Sequence, residues 1–222
     1  MSEKELRRQI AQVCHRIYAK GFVAAKDGNV SARLDAKRIL VTPSGLPKGE
    51  VTPASLILCD LAGRKIRGRL GVTSELPLHL AVYEQRADVR AAVHAHPPYS
   101  TALTVAGVSL ADAVLPEVVI SLGRICTAKY ATPSTSEVPR SVANIIRRCD
   151  AVLLERHGVL TVGTDPWDAY YKLEKVEHAA KVVTLARLLG RVKNMSRREL
   201  KKLVDTFRRR GVTPKISLFE KL

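Results

Sequence analysis

The 222-residue sequence predicts a layered α/β domain, and three observations carry the prediction. Segments with helical spacing alternate with short apolar runs along the whole chain. Glycine and proline punctuate these runs closely enough that no long linker, internal repeat or low-complexity tract intervenes. Hydrophobic residues make up 46% and charged residues 26%, a balance that supports one sizeable core and excludes a disordered or collagen-like chain.

The elements follow in order. Ser2-x-x-Glu5 is a capping-box pattern, and Leu6, Ile10, Val13, Cys14, Ile17 and Tyr18 recur at helical spacing until Gly21. Lys26-Asp27-Gly28-Asn29 is a turn into a short strand around Val30 to Leu34. Asp35-Ala36-Lys37 turns it back into Ile39-Leu40-Val41, which Thr42-Pro43-Ser44-Gly45 breaks. Leu56 to Cys59 is a third strand, and Ala62-Gly63-Arg64 turns it into a basic partner. Thr73-Ser74 offers N-caps for a helix over 75–86, with Pro77 tolerable in its first turn. A strand over 89–96 ends at Pro97-Pro98, and a short helix covers 100–106. The β-branched run from Glu117 to Ile120 reads as another strand. Ser134-Thr135-Ser136-Glu137 begins a helix through about Arg147. Ala151 to Leu154 and Val159 to Val162 are buried-type strands on either side of His157-Gly158. Asp165-Pro166 starts the longest helix, with Leu173, Val176, Ala180 and Val183 on one face.

Composition narrows the function classes. No apolar run approaches the roughly 20 residues that cross a bilayer. The N-terminus is charged, with no apolar stretch behind it, so the expectation is a soluble, cytoplasmic protein. Lys and Arg number 37 against 21 Asp and Glu, a formal net charge of +16. Half of that excess lies in residues 191–222, with eleven basic and three acidic side chains. Neither zinc-finger spacing nor an RNA-recognition aromatic motif accompanies the charge, which favours a basic surface attracting anionic metabolites over a nucleic-acid partner. Cys14, Cys59, Cys126 and Cys149 form no C-x-x-C pair, and all four are expected to be reduced and structural.

His94 and His96 stand one residue apart on a predicted strand, so their side chains share a face and can converge on one ion. Alone, such a pair is more readily two unrelated histidines, one of them hydrogen-bonded in the core. His157, followed by a glycine that removes bulk where a ligand approaches, and Glu75 at a helix start strengthen the metal reading. Three imidazoles and a carboxylate suit zinc. His15 and His178 lie among charged neighbours on helices; His79, four residues after Glu75, is either a structural histidine or a partner behind the ligand set. Gly28-Asn29, Ser44-Gly45 and Thr73-Ser74 each offer backbone N–H groups with a small polar side chain. That chemistry suits phosphate but is also that of ordinary turns and caps, and no P-loop is present.

In order and spacing, six segments resemble the zinc-dependent class II aldolase and adducin-head family, and the L-fuculose 1-phosphate aldolases in particular. They are Gly28-Asn29-Val30-Ser31, Thr42-Pro43-Ser44-Gly45, Thr73-Ser74-Glu75, His94-Ala95-His96, Tyr130-Ala131-Thr132 and Arg156-His157-Gly158. The resemblance implies a single class II aldolase-like domain over 1–222 with a basic helical tail from about 191. Its fold would be a three-layer α/β/α sandwich around a large mixed, mainly antiparallel sheet. It also implies a homotetramer with active sites between subunits, and one zinc ion per subunit on Glu75, His94, His96 and His157. Gly28, Asn29, Ser44, Gly45, Thr73 and Ser74 fall on the family's phosphate-binding positions. The implied reaction is reversible cleavage of a ketose 1-phosphate, such as L-fuculose 1-phosphate, to dihydroxyacetone phosphate and an aldehyde. It would pass through a metal-stabilised enediolate, with Glu75 as acid and base.

Two departures bear on catalysis. Glu117 stands where the family has a tyrosine that works across the subunit interface, and is a candidate either for the acid that serves the leaving aldehyde or for an ordinary interface carboxylate. A second family tyrosine is replaced around Arg210. Glutamate at the first position also resembles methylthioribulose 1-phosphate dehydratases, which lack the glutamate ligand. The resemblance extends further to aldolases of 5-deoxypentulose 1-phosphates and, outside the enzymes, to an adducin-like binding domain.

Overall fold

The computed structural model describes residues 1–112 and 114–212. Eight strands form one sheet in the order β4-β3-β2-β1-β5-β8-β7-β6. They are β1 (Asn29–Arg33), β2 (Arg38–Val41), β3 (Ile57–Asp60), β4 (Lys65–Arg67), β5 (Ala91–Ala95), β6 (Cys126–Ala128), β7 (Ala151–Leu154) and β8 (Gly158–Gly163). Every neighbouring pair is antiparallel except β6 and β7, which run parallel. The helices are α1 (Glu3–Ala19), α2 (Leu76–Gln85), α3 (Pro98–Val105), α4 (Pro116–Ser121), α5 (Glu137–Ala143), α6 (Pro166–Leu189) and α7 (Arg197–Arg209).

Side chains of period two split the sheet's apolar residues between two cores. Val30, Ala32, Ala91, Val93, Leu153 and Val159 face α1, α3 and α6. Ile39, Val41, Ala92, Val152, Leu160 and Val162 face α2 and α5. The architecture is therefore the expected three-layer α/β/α sandwich on a mixed, mostly antiparallel sheet. Helix ends follow local chemistry: Ser2 Oγ accepts from Glu5 N–H, and Asp165 accepts from Trp167 and Asp168 N–H ahead of Pro166. Glu177 on α6 caps a neighbour, accepting from the Tyr99 and Ser100 backbones at 2.8 Å and so fixing the first turn of α3 just beyond His96.

Four expectations need correction. Residues 116–121 form a helix, because Pro116 pre-sets its first turn and Val118 and Val119 are buried there. The helix expected from 134 is regular only over Glu137–Ala143. The N-cap of α2 is Glu75, with no side-chain cap bond, so Thr73 and Ser74 precede the helix. Cys126 and Cys149 are joined in a disulfide, whereas Cys14 and Cys59 are free and buried. The parallel register that sets Cys126 opposite Val152 brings it beside the chain entering β7. Of the expected basic tail, α7 is helical and residues 213–222 lie outside the described residues. Among the described residues no helix is long and apolar enough to cross a membrane.

Candidate metal centre and anion pocket

The register of the central strands assembles the centre. Asn29 in β1 stands opposite His94 in β5, and Ser31 opposite Ala92. His94 shares the face of Ala92, on the α2 side of the sheet, where Glu75 begins its helix. His96 lies one residue past β5. Ala95 pairs with Val159 and Leu154 with Gly158, so the β7–β8 turn that carries His157 closes beside it. Arg156 takes a positive φ of 56° in that turn, and its N–H donates to Thr104 Oγ1 of α3. Gly158 is needed for contact with the protein rather than for a ligand: an added Cβ would lie 2.4 Å from Ala95 O and 2.6 Å from His96 Cδ2.

The three imidazoles form a triangle with ring centroids 4.8, 4.9 and 5.0 Å apart, and one nitrogen from each lies within 4.8 Å of the others. His94 Nδ1 bonds to Val159 O at 3.0 Å. A carbonyl only accepts, so Nδ1 carries a proton and Nε2 is the nitrogen turned toward the cluster. His96 Nε2 lies 3.0 Å from it. Glu75 spans the cluster, with Oε2 at 3.1 Å from His94 Nε2 and Oε1 at 3.2 Å from His157 Nε2. Burial, reinforced by His94 and His157, pushes His96 down to about 3, so its imidazole is neutral at ordinary pH. Burial acts to raise the Glu75 carboxyl, but facing His94 and hydrogen bonds from His157, His94 and Asn29 outweigh it. The group is held well below the usual carboxylate range. Three imidazoles that each turn one nitrogen toward the others fit a divalent metal ion, and His94, His96 and His157 could hold one.

Behind Glu75 runs a polar chain whose directions are determined. The carboxylate can only accept, so Asn29 presents its Nδ2 to Oε2, at 2.8 Å. Asn29 Oδ1 then accepts from His79 Nε2–H. His79 Nδ1 accepts from Ser31 Oγ–H at 2.7 Å, and Ser31 accepts from the Tyr83 hydroxyl at 2.7 Å. His79 is fully buried, and burial pushes it down to about 3. It is a core residue, and it reaches Glu75 through Asn29.

One cavity of about 410 Å³ contains Glu75, His96 and His157 together with all six residues expected at a phosphate site, Gly28, Asn29, Ser44, Gly45, Thr73 and Ser74. Their convergence has local causes. Pro43 bridges Val72, and Ser44 N–H donates to Gly71 O at 2.9 Å, which lays 44–45 against 73–74. Gly28 has φ +75°, and an added Cβ would meet Val23 Cγ1 and His94 O, so that loop can close on β5 only with glycine. Lys26, Asp27, Lys48 and Ser134 also line the cavity, none of them anticipated as site residues. Ser134 Oγ lies 3.3 Å from Ser74 Oγ, and the Thr132-Pro133-Ser134-Thr135-Ser136 hydroxyl cluster was its signal in the sequence. Glu117 is exposed in the first turn of α4 and lines no part of this cavity in the single chain. Tyr130 and Arg210 are exposed as well.

Fold and site together define a class II aldolase-type protein with a histidine-rich, metal-competent centre. Residues 8–184 match the family model of the class II aldolase and adducin N-terminal domain, and the chain belongs to that family. An L-fuculose phosphate aldolase of Methanococcus maripaludis is 33% identical over 174 residues, 78% of this chain and 93% of that one. A 3-oxo-tetronate 4-phosphate decarboxylase of Haemophilus influenzae is 30% identical over 186 residues, 82% and 87% of the two chains. Among solved structures, YgbL from Klebsiella pneumoniae superposes with a TM-score of 0.84 at 28% identity, covering 91% of this chain and 99% of that one. The L-fuculose-1-phosphate aldolase of Thermus thermophilus gives 0.74 at 28%, covering 86% and 98%.

Proposed function

We propose that the chain is a zinc-dependent aldehyde-lyase that reversibly cleaves a ketose 1-phosphate, such as L-fuculose 1-phosphate, to dihydroxyacetone phosphate and an aldehyde. The observation that carries this reading is one cavity lined by Glu75, His96 and His157 beside the glycine- and hydroxyl-lined loops, with Glu75 bridging His157 and the buried His94. His94, His96, His157 and Glu75 would hold the ion, a donor set suited to zinc. When bound, the metal supplies Lewis-acid polarisation of the substrate's carbonyl and neighbouring hydroxyl oxygens. Backbone N–H groups around Gly28 and Gly45, with the hydroxyls of Ser44, Thr73 and Ser74, receive the phosphate at the positive end of α2.

In cleavage the C3–C4 bond breaks and its electron pair stays with the three-carbon fragment, while the C4 hydroxyl loses its proton as the aldehyde forms. Glu75 delivers a proton to C3 of that fragment, and in condensation its carboxylate removes it. Asn29 and His79 fix the carboxylate for this task. Glu117, exposed on the single chain, would serve the C4 oxygen only across an interface between copies, in a cyclic homotetramer.

The decarboxylase relative favours a second reading in the same pocket. Loss of carbon dioxide from a 3-oxo-tetronate 4-phosphate also leaves an electron pair beside a carbonyl, and the protonated product is again dihydroxyacetone phosphate. The co-product discriminates: aldehyde for the aldolase, carbon dioxide for the decarboxylase. The purified protein is therefore given L-fuculose 1-phosphate, 3-oxo-tetronate 4-phosphate and methylthioribulose 1-phosphate separately. Lactaldehyde released from the first supports the proposal; carbon dioxide from the second alone, or dehydration of the third alone, overturns it. Glu75→Gln is expected to lower turnover about 10³-fold while keeping most of its metal, whereas His94→Ala loses the metal. Metal loss from Glu75→Gln equal to that from His94→Ala would sink the acid–base role.

A further inference from the structure

Lys48 is 1% exposed, yet it lines the cavity that also holds Glu75, His96 and His157. Its Nζ donates to Lys26 O and to Leu46 O, both at 2.9 Å. Those two carbonyls belong to different loops: one precedes Asp27-Gly28-Asn29 and the other follows Ser44-Gly45. A single ammonium thus ties together the two glycine turns that meet in the cavity. Both acceptors are neutral, and the third N–H is left over. The two acidic groups that line the cavity are engaged elsewhere: Asp27 faces His96 Nδ1 at 3.7 Å, and Glu75 faces His94 and His157.

A buried charge with only neutral partners is costly, and natural proteins keep one where something else compensates it. Bracing two carbonyls needs donors but no net charge, so the retained charge has a second task. The neighbouring turns offer backbone N–H groups and hydroxyls, which are donors without charge, for a ligand bearing about two negative charges. Burial pushes the Lys48 ammonium below its ordinary value, with Asp27 among the groups opposing the shift, and a bound dianion would relieve that penalty.

We propose that Lys48 is a positioning residue for the phosphate of the substrate, bracing the Lys26–Asn29 and Ser44–Leu46 loops and holding a fixed positive charge behind them. The proposal rests on the reading of this cavity as a phosphate site. It extends that reading to a residue that never needs to touch the ligand.

The test uses inorganic phosphate as probe, by calorimetric titration of the metal-loaded full-length protein, with Lys48→Met, Lys48→Gln and Ser44→Ala. Folded Lys48→Met is expected to bind phosphate about tenfold more weakly, with a similar rise in KM for the phosphorylated ketose. Its kcat should move by less than about threefold and its metal content should stay at the wild-type level, a split that general loosening of the fold would not give. Phosphate affinity within about twofold of wild type in either folded variant overturns the proposal. Should neither variant fold, wild-type protein labelled with ¹⁵N-lysine decides: the Lys48 ammonium resonance must move on saturation with phosphate, and its constancy is the overturning result. The two ideas fail differently. If wild type binds phosphate and Ser44→Ala weakens it while Lys48→Met does not, only Lys48 is lost; if wild type binds none, the phosphate reading falls first.

Discussion

His79 governs Glu75 without touching it. Its protonation state decides the chain, because Asn29 Oδ1 needs a donor and Ser31 Oγ–H needs an acceptor, and only a neutral imidazole supplies both. Burial lowers His79 from 6.5 to about 3, with His94 adding to the shift and Glu75 opposing it. Between those values the unfolded chain binds a proton that the folded chain refuses. Stability from this group is therefore full above about pH 6.5 and lost as pH falls toward 3, by at most about 1.4 kcal/mol per pH unit. His79→Gln can still donate to Asn29 but cannot titrate. In metal-free protein its denaturant midpoint should fall less steeply than that of wild type between pH 6.5 and 4; an identical slope would show that His79 is not the neutral group described. The spacing of Glu75 and His79 already placed both on one helical face in the sequence. What the sequence could not show was Asn29 as the link between them, since that depends on the β1–β5 register, a non-local contact. For the same reason Asn29 was legible as a pocket residue but not as the side chain that orients a carboxylate.

The turn between β7 and β8 completes the centre that the strand register lays out. The β7–β8 hairpin carries His157, and Gly158 follows because β8 must pass within contact distance of Ala95 O and His96. Gly158→Ala would force backbone against backbone there. We expect a loss of about 1–3 kcal/mol in denaturant unfolding and a weakened metal affinity, because His96 and His157 are pushed apart by the same shift. Unchanged metal affinity in the folded variant would mean that the triangle does not depend on this approach. Most elements were legible from local pattern: α1 and α6 from caps and periodicity, β7 and β8 from short apolar runs. Residues 116–121 were not, because the run Val118-Val119-Ile120, taken alone, has the β-branched pattern of a strand. Packing reverses that preference, burying Val119 with Val204 of α7 in a small apolar cluster of their own.

Across the whole molecule the sheet divides into a functional centre and a stapled margin. β1, β5 and β8 lie side by side and carry or adjoin the candidate ligands, while β6 closes one edge two strands beyond β8. That edge strand is the one paired in parallel, so its connection to β7 is a long crossover, and the Cys126–Cys149 disulfide ties it across a separation of 23 residues. The layered fold class was legible because mixed helix and strand patterns persist along the chain. The cysteine pairing was not, because it depends on the crossover bringing together two positions with no sequence signal of their own. Closing a loop of this length restricts the unfolded chain by about 3 kcal/mol in the loop-entropy picture. For a chain of this size, Cys149→Ser should lower Tm by roughly 6–12 °C. Metal content should be unaffected, because the edge is separated from His94 and His157 by intact β7 and β8 pairing. Thiol titration of denatured wild type should find two reactive groups before reduction and four after it. Four thiols before reduction, or a Cys149→Ser melting curve superimposable on wild type, would remove the staple. Loss of metal along with the lower Tm would show instead that the edge and the centre unfold as one unit.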